Sequence, residues 1–208
     1  MIVVYCDGLC EPLNPGGTAT YGWVAYRDGQ KLREDCAMVC SGPEATNNVA
    51  EYSAVIFALK WLLENGRESE KIVVCSDSQL CIYQLTGDYA VRSGRIRPLY
   101  EQARALARKF KFLEFRWVPR EENKEADALS RKAYAGAAKS SREEKANALL
   151  KNVERLDCTQ YRVRSQNGSR TYLVDTSVPA CTCPDFLGRC LKAGIKCKHI
   201  LAAEKAAE

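Results

Sequence analysis

Hydrophobic positions change their spacing several times along this chain, and each change marks an element. Over MIVVYC (1–6) and TYGWVAYRDGQKLREDCAMVC (20–40) they follow a β pattern, with Asp28-Gly29 placed for a turn. The pattern predicts a three-stranded antiparallel meander. From Thr46 the period lengthens: Tyr52, Val55, Ile56, Leu59, Leu62 and Leu63 recur at helical spacing. Asn47 or Asn48 can cap the start of this helix, and Gly66 closes its end. KIVVCSD (71–77) is a short apolar run, the profile of a buried parallel strand. There follow a helix from about Ser78, a glycine-interrupted loop (86–98), a helix (99–110), a strand (111–119) and a final helix (121–137). Antiparallel strands followed by alternating helices and strands make an α/β fold: a mixed five-stranded sheet flanked by helices.

Residues 135–148, AGAAKSSREEKANA, are small and polar, and read as a linker that is helical for part of its length. Beyond it, QYRVRSQNGSRTYLVD (160–175) is two short β runs around Asn167-Gly168, a hairpin signal. The organisation expected is a catalytic domain over 1–134, a linker over 135–155 and a small hairpin domain over 156–208.

Composition narrows the class. At 208 residues and 46% hydrophobic content the chain can bury a core, and no apolar stretch approaches the roughly 18 residues of a membrane span. The amino terminus has neither the basic flank nor the apolar run of a signal peptide, so a cytoplasmic protein is expected. Six of the eleven cysteines lie among strand- and helix-like segments and five follow residue 157, which fits reduced thiols, some core and some metal-binding. Residues 1–132 carry 18 basic and 18 acidic side chains, whereas residues 133–208 carry 13 and 8, so the whole +5 excess lies in the second part. Twelve of the first 18 basic residues fall between Arg92 and Lys132. Such clustering suits a polyanionic partner, although a solvated helix face has the same composition.

Four carboxylates carry the candidate chemistry. Asp7 is expected at the end of the first strand and Asp77 at the end of the parallel one, so both emerge at one sheet edge, where open α/β sheets bind ligands. Glu51 falls in the first turn of the long helix and Asp127 in the first turns of the last. Each alone is an ordinary turn or cap residue. Together they repel one another and call for cations; an oxygen-rich set with open positions suits Mg²⁺ or Mn²⁺. Two such ions about 4 Å apart would activate a water and stabilise the leaving oxygen of a phosphodiester.

The stretches YCDGLCEPLNPGG, TNNVAEY, CSDSQL and VPREENKEADALS, in this order, resemble the ribonuclease HI family over roughly residues 1–135. The likeness is to the branch with a G-x-Y loop (Gly87-Asp88-Tyr89) in place of a long basic protrusion. It implies that Asp7, Glu51, Asp77 and Asp127 are the metal-binding catalytic acids. It implies minor-groove contacts to an RNA/DNA hybrid from Asn14, Asn47, Asn48 and Gln79, and a phosphate-pocket role for Thr46. Short amides can donate and accept in the wide minor groove that displays 2′-hydroxyls. Helix capping for the paired asparagines and a turn at Asn14-Pro15-Gly16 are compatible alternatives. One departure stands out: many relatives carry a histidine in the loop before the last acid, and VPREENKEAD has none. Arg120, Glu121 and Glu122 are candidates to assist but read first as surface residues or helix-start charges, and Arg131 is a candidate to offset phosphate charge; two-metal chemistry does not require a protein base.

The only histidine is His199, in CKH (197–199), which thirteen residues separate from CTC (181–183). Residues i and i+2 of extended chain point to one side, so Cys181 with Cys183, and Cys197 with His199, can each grip one ion. Three thiolates and an imidazole form a closed set that suits one structural Zn²⁺. The arrangement resembles the SWIM zinc finger over about residues 158–205, which implies binding to nucleic acid or to a protein partner. Cys190 is a competing ligand, with a free thiol favoured; Arg162, Arg164 and Arg170 flank the hairpin and can track phosphates.

The resemblances together imply a metal-dependent endoribonuclease that cuts the RNA strand of RNA/DNA hybrids, leaving 5′-phosphates, with double-stranded RNA as a further possible ligand. The alternative is an adaptor that binds nucleic acid or protein through the same fold with little or no hydrolysis. The intact set of four acids argues against the adaptor. A third reading is strand transfer, since integrase-like enzymes share the sheet and the acidic logic, and the Asn and Gln residues with the Glu after TNN favour the ribonuclease over it.

Overall fold

The structure is a computed structural model that describes residues 1–207 and divides into two compact units, Met1–Ala137 and Ala138–Glu208. In the first, β1 (Ile2–Glu11), β2 (Thr18–Arg27) and β3 (Gln30–Ser41) form the antiparallel meander. The turn between β2 and β3 places Asp28 at φ 49° and Gly29 at φ 82°, the pair of left-handed residues a tight hairpin needs. β4 (Lys71–Ser76) joins β1 in parallel and β5 (Phe112–Trp117) joins β4, giving the order β3-β2-β1-β4-β5. Both alternating sets of β4 are buried, which explains its unbroken apolar run.

Helix α1 (Asn47–Glu64) lays Tyr52, Val55, Ile56, Leu59 and Leu62 against Ile2, Val4, Ile72 and Val74 of the sheet. Its start differs from the sequence expectation. Thr46 is the cap, extended at φ −142° and accepting from Val49 N at 3.2 Å, while the Asn47 side chain turns away to accept from Cys10 N at 2.7 Å. A β-hydroxyl at the extended position reaches the free amide three residues on; Asn47 already lies inside the helix. Gly66, at φ 66°, follows the cap Asn65 as expected. Helices α2 (Gln79–Thr86), capped by Ser78, and α3 (Arg97–Ala107) complete this side.

The final helix α4 (Lys124–Asn147) runs ten residues past the end read from the sequence, because alanine, lysine and glutamate sustain a helix without an apolar stripe to announce it. It reaches the sheet at Gly22, where an added Cβ would lie 2.5 Å from Ser130 N and 2.7 Å from Ala126 O. Thr20 on the same strand donates to the Ser130 carbonyl at 2.9 Å.

The second unit holds a four-stranded antiparallel sheet, β6 (Val153–Arg155), β7 (Gln160–Arg164), β8 (Thr171–Asp175) and β9 (Ala180–Cys181), in sequential order. β7 and β8 are the expected hairpin, closed by the longer loop 165–170 rather than a two-residue turn. β6 and β9 were not legible, since three and two residues show no period. Tyr161, Val163 and Val174 pack on Ile200 and Ala203 of α5 (Lys198–Ala207) and on Leu149. Residue 208, within the hairpin domain expected from the sequence, lies outside the described residues. No helix among the described residues is long and apolar enough to cross a membrane.

Gly22→Ala should lower stability by about 3 kcal/mol, the upper end of overpacking costs, because backbone atoms meet the new methyl. A shift of the urea midpoint at unchanged slope would register it; an unshifted midpoint would show that α4 can move off the strand.

Candidate active site and metal centre

Asp7 is not at the end of β1, as the sequence pattern implied: the strand continues to Glu11 beside β2. Its parallel pairing with β4 does stop one residue earlier, at Cys6 and Ser76, so Asp7 and Asp77 emerge where those two strands part. Glu51 reaches them from α1, one turn in, because Gly8 admits the helix: a Cβ there would lie 2.2 Å from Glu51 N. One carboxylate oxygen from each of Asp7, Glu51 and Asp77 lies within 4.8 Å of the other two.

Asp127 stands outside that trio. Its carboxylate accepts from Arg120 Nη2 and from Arg131 Nε, each at 2.8 Å. The Arg131 and Arg120 hydrogen bonds hold its pKa below the ordinary range against partial burial. Arg131, expected to offset phosphate charge, is thus paired with the fourth acid and also approaches Glu11 at 3.8 Å.

The trio is electrostatically unfavourable when ionised. Burial pushes Asp7 up to about 6; Ser130 opposes this by hydrogen bonding, and the charges of Asp77 and Asp127 add to it. Burial first, then the charges of Asp7 and Asp77, push Glu51 well above its usual value, opposed by hydrogen bonds involving Ser76 and the Gly8 backbone. Convergent oxygens that resist ionisation in the absence of positive charge are the donor set a hard divalent cation satisfies.

Two residues that the sequence reading missed hold this arrangement. Asn123 is buried and donates from Nδ2 to Asp77 Oδ1 at 2.6 Å and to the Cys6 carbonyl at 2.9 Å. Ser130 hydrogen-bonds Asp7 and lies 2.9 Å from the Asp127 carbonyl. Asn123 lies in the histidine-free loop just before α4, and Ser130 one turn past Asp127; a short polar residue close in sequence to an acid was the available signal.

The amides lie on exposed ground nearby. Asn14 Oδ1 accepts from Asn47 N at 3.1 Å, and Asn47 Oδ1 from Cys10 N. Both oxygens are therefore committed to backbone, and each side chain presents its NH₂ outward as a donor. Asn48 and Gln79 are exposed in the first turns of α1 and α2. The Thr46 oxygen accepts from Val49 N, which leaves its hydroxyl proton free to donate.

In the second unit, ligand atoms of Cys181, Cys183, Cys197 and His199 lie within 4.8 Å of one another, and all four residues are buried. His199 Nδ1 is 4.0 Å from Cys197 Sγ, while its Nε2 is buried with no hydrogen-bond partner. The Cys181 sulfur accepts from Cys183 N at 3.4 Å and the Cys183 sulfur from Phe186 N at 3.3 Å, so backbone amides orient both thiols. Three thiols and an imidazole converging in a buried pocket fit a closed soft-metal site. Cys190 lies outside this cluster, its Sγ 3.4 Å from Asp185 Oδ2.

A family model described as reverse transcriptase-like matches residues 6–133, which contain the acids and amides above, and the SWIM zinc finger model matches residues 166–208. The solved ribonuclease H1 of Halobacterium salinarum is 34% identical over 65% of this chain and 98% of that one, with a TM-score of 0.59. The chain belongs to the ribonuclease HI family. LC11 ribonuclease H1, from a compost metagenome, was solved in complex with an RNA/DNA hybrid; it is 30% identical, with a TM-score of 0.61 over 66% of this chain and 99% of its own. A bifunctional protein of Mycobacterium tuberculosis is 39% identical over 141 residues, 67% of this chain. The chain spans only 37% of the length of that protein and of the other mycobacterial relatives it matches. The ribonuclease HI sheet thus accounts for the first unit, and a SWIM finger for most of the second.

The raised Asp7 pKa has a pH consequence. Folded Asp7 binds its proton more readily than the unfolded chain does, so without divalent cations stability should fall as pH rises from about 4 to about 6. Asp7→Asn should remove the share of that fall due to Asp7, raising stability at neutral pH by roughly 2–3 kcal/mol, and leave the share due to the raised Glu51. Thermal melts across pH 4–7 in the two proteins measure it, and parallel curves would contradict the assignment.

Proposed function

We propose that the chain is a divalent-metal-dependent endoribonuclease that hydrolyses the RNA strand of RNA/DNA hybrids, with its zinc finger adding grip on nucleic acid. The observation that carries this reading is the convergence of Asp7, Glu51 and Asp77, carboxylates that only added positive charge makes tolerable as a trio. They and Asp127 are the proposed catalytic acids, with Mg²⁺ or Mn²⁺ as the ions. Such ions, when bound, supply the charge that lowers the pKa of water and offsets the leaving oxygen.

The remaining work falls to this chain's own groups. Asn14 and Asn47 donate from their NH₂ groups, and the minor groove of a hybrid offers acceptors in 2′-hydroxyls and base edges. Asn48 and Gln79 extend that contact, and the Thr46 hydroxyl donates to a phosphate. Asn123 fixes Asp77, and Ser130 fixes Asp7. Arg120 and Arg131 keep Asp127 ionised until a cation takes their place. Hydrolysis would leave a 5′-phosphate and a 3′-hydroxyl. The proposed organisation is a catalytic domain over 1–134, a linker over 135–155 whose last residues, Leu149 and β6, are built into the core and sheet of the finger, and a finger over 156–208 that holds one Zn²⁺ through Cys181, Cys183, Cys197 and His199. A reducing, cytoplasmic setting suits the eleven unpaired thiols.

With Mg²⁺ or Mn²⁺ the wild-type chain should cut a hybrid labelled on RNA, and Asp77→Asn should reduce the rate by at least about 10³-fold, the scale of losing a group that acts on the transition state. Tight binding without cutting in either metal would favour the adaptor reading instead. Independently, metal analysis should find one zinc per chain and none in Cys197→Ser. Hydrogen exchange in that variant should deprotect β7, β8 and α5 while leaving β1 and β4 protected. Retained protection in β7 and β8 would mean that the small core folds without metal.

A further inference from the structure

The strand β7 alternates strictly: Tyr161 and Val163 face the buried cysteine side, and Arg162 and Arg164 face outward. On that outer face the sheet and the preceding turn Leu150–Asn152 enclose an open cleft of about 210 Å³, lined by Lys151, Asn152, Glu154, Arg162, Arg164 and Thr171 among others. Its walls are fixed by backbone pairing. Glu154 lies opposite Arg162 and Thr171 opposite Arg164 in the sheet register, and Asn152 Nδ2 approaches the Arg164 and Ser165 carbonyls at 3.4 and 3.5 Å.

The charges in the cleft do not cancel. Glu154 holds Arg162 at 3.1 Å, while Lys151 and Arg164 have no ion pair among the described residues. Arg162 and Arg164, two residues apart on an extended strand, are spaced by about 6.8 Å, the axial rise of two nucleotides on one duplex strand. The lining residues include no aromatic ring on which a base could stack, so recognition there would be of backbone rather than of bases.

We propose that this outer face is a phosphate-backbone cleft, in which Lys151, Arg162 and Arg164 hold the strand of a nucleic-acid duplex without regard to sequence or sugar, Thr171 adding a hydroxyl donor. It rests on the nucleic-acid role proposed for the finger, and names the surface that performs it. The cleft lies on the sheet face opposite the cysteine cluster, so the metal acts by holding the sheet and not by touching the ligand. A phosphate-only contact treats DNA duplex and hybrid alike; discrimination between them is left to the amides of the first unit.

The test uses the full chain without added divalent cation, and fluorescence anisotropy with a DNA duplex and an RNA/DNA hybrid of one sequence, from 50 to 200 mM salt. Lys151→Gln with Arg164→Gln should weaken binding to both duplexes by the same factor, about tenfold at the lowest salt, and reduce the log–log salt slope by about 2. In cleavage assays the same variant should raise KM and leave kcat unchanged. Lys139→Gln with Lys192→Gln removes the same charge elsewhere in this unit and should change neither. Equal losses in both double variants would mean diffuse attraction and would overturn the cleft while leaving the finger's role intact. No loss in the cleft variant, with a loss in Cys197→Ser, would place binding elsewhere on the finger. No loss in any of the three would remove the nucleic-acid role of the finger itself. A loss confined to the hybrid would overturn the sugar-blind contact.

Discussion

Three carboxylates held within 4.8 Å of one another are the constraint around which the first unit is built. Carboxylates this close repel one another when ionised, and burial adds to the cost of charging Asp7 and Glu51. They are held together by rigid backbone. Two come from adjacent parallel strands at the point where the strands part, and the third from a helix brought close by the absence of a side chain at Gly8. Gly22 does the same for α4, so that Ser130 can reach Asp7. Both glycines have ordinary backbone angles; what they supply is space.

The partners of these acids divide into two kinds. Asn123 and Ser130 are neutral donors that fix direction without neutralising charge, which preserves the demand for a cation at Asp7 and Asp77. Arg120 and Arg131 are full charges and satisfy Asp127 outright. The fourth acid therefore rests in a stable ion-paired state, while the trio remains under electrostatic stress. A cation binding beside the trio relieves repulsion immediately, whereas one engaging Asp127 must displace guanidinium, so the two kinds of sites differ in what occupancy costs. This asymmetry arises on a chain with no histidine in the loop, and it puts two arginines beside the acid that the loop precedes.

How much of this was legible follows from the length of each signal. Strands of six to twelve residues and the long α1 announced themselves by period, and the four acids by the motifs around them; the paired Cys-x-Cys and Cys-x-His spacing likewise foretold a cluster that the fold brings together. What escaped notice was short or non-periodic. β6 and β9 are too brief to alternate visibly, and α4 outran its apolar face on propensity alone. Thr46 took the cap from the asparagines because capping depends on one extended residue whose position no periodicity fixes. Asn123 and Ser130 were missed for a different reason: their importance lies in contacts 46 and 123 residues away in sequence.

The solitary histidine is explained by the contrast between the two centres. Hard oxygen donors at a strained, open cluster can serve hydrolysis without an imidazole, whereas a closed set of soft donors in a small core gains most from a neutral nitrogen ligand that completes it. His199 lies against Tyr172 with ring centroids 4.7 Å apart and is buried beside three thiols, a setting that suits permanent ligation and not proton exchange with solvent. The charge follows the same division. Residues 1–132 are neutral overall, as suits a unit whose proposed selectivity comes from a few directed amide donors, and the remaining residues carry the whole excess of +5. On the proposed reading, sequence-blind attraction and 2′-hydroxyl reading fall to separate units on one chain, and joining them would multiply affinity without either having to compromise its chemistry.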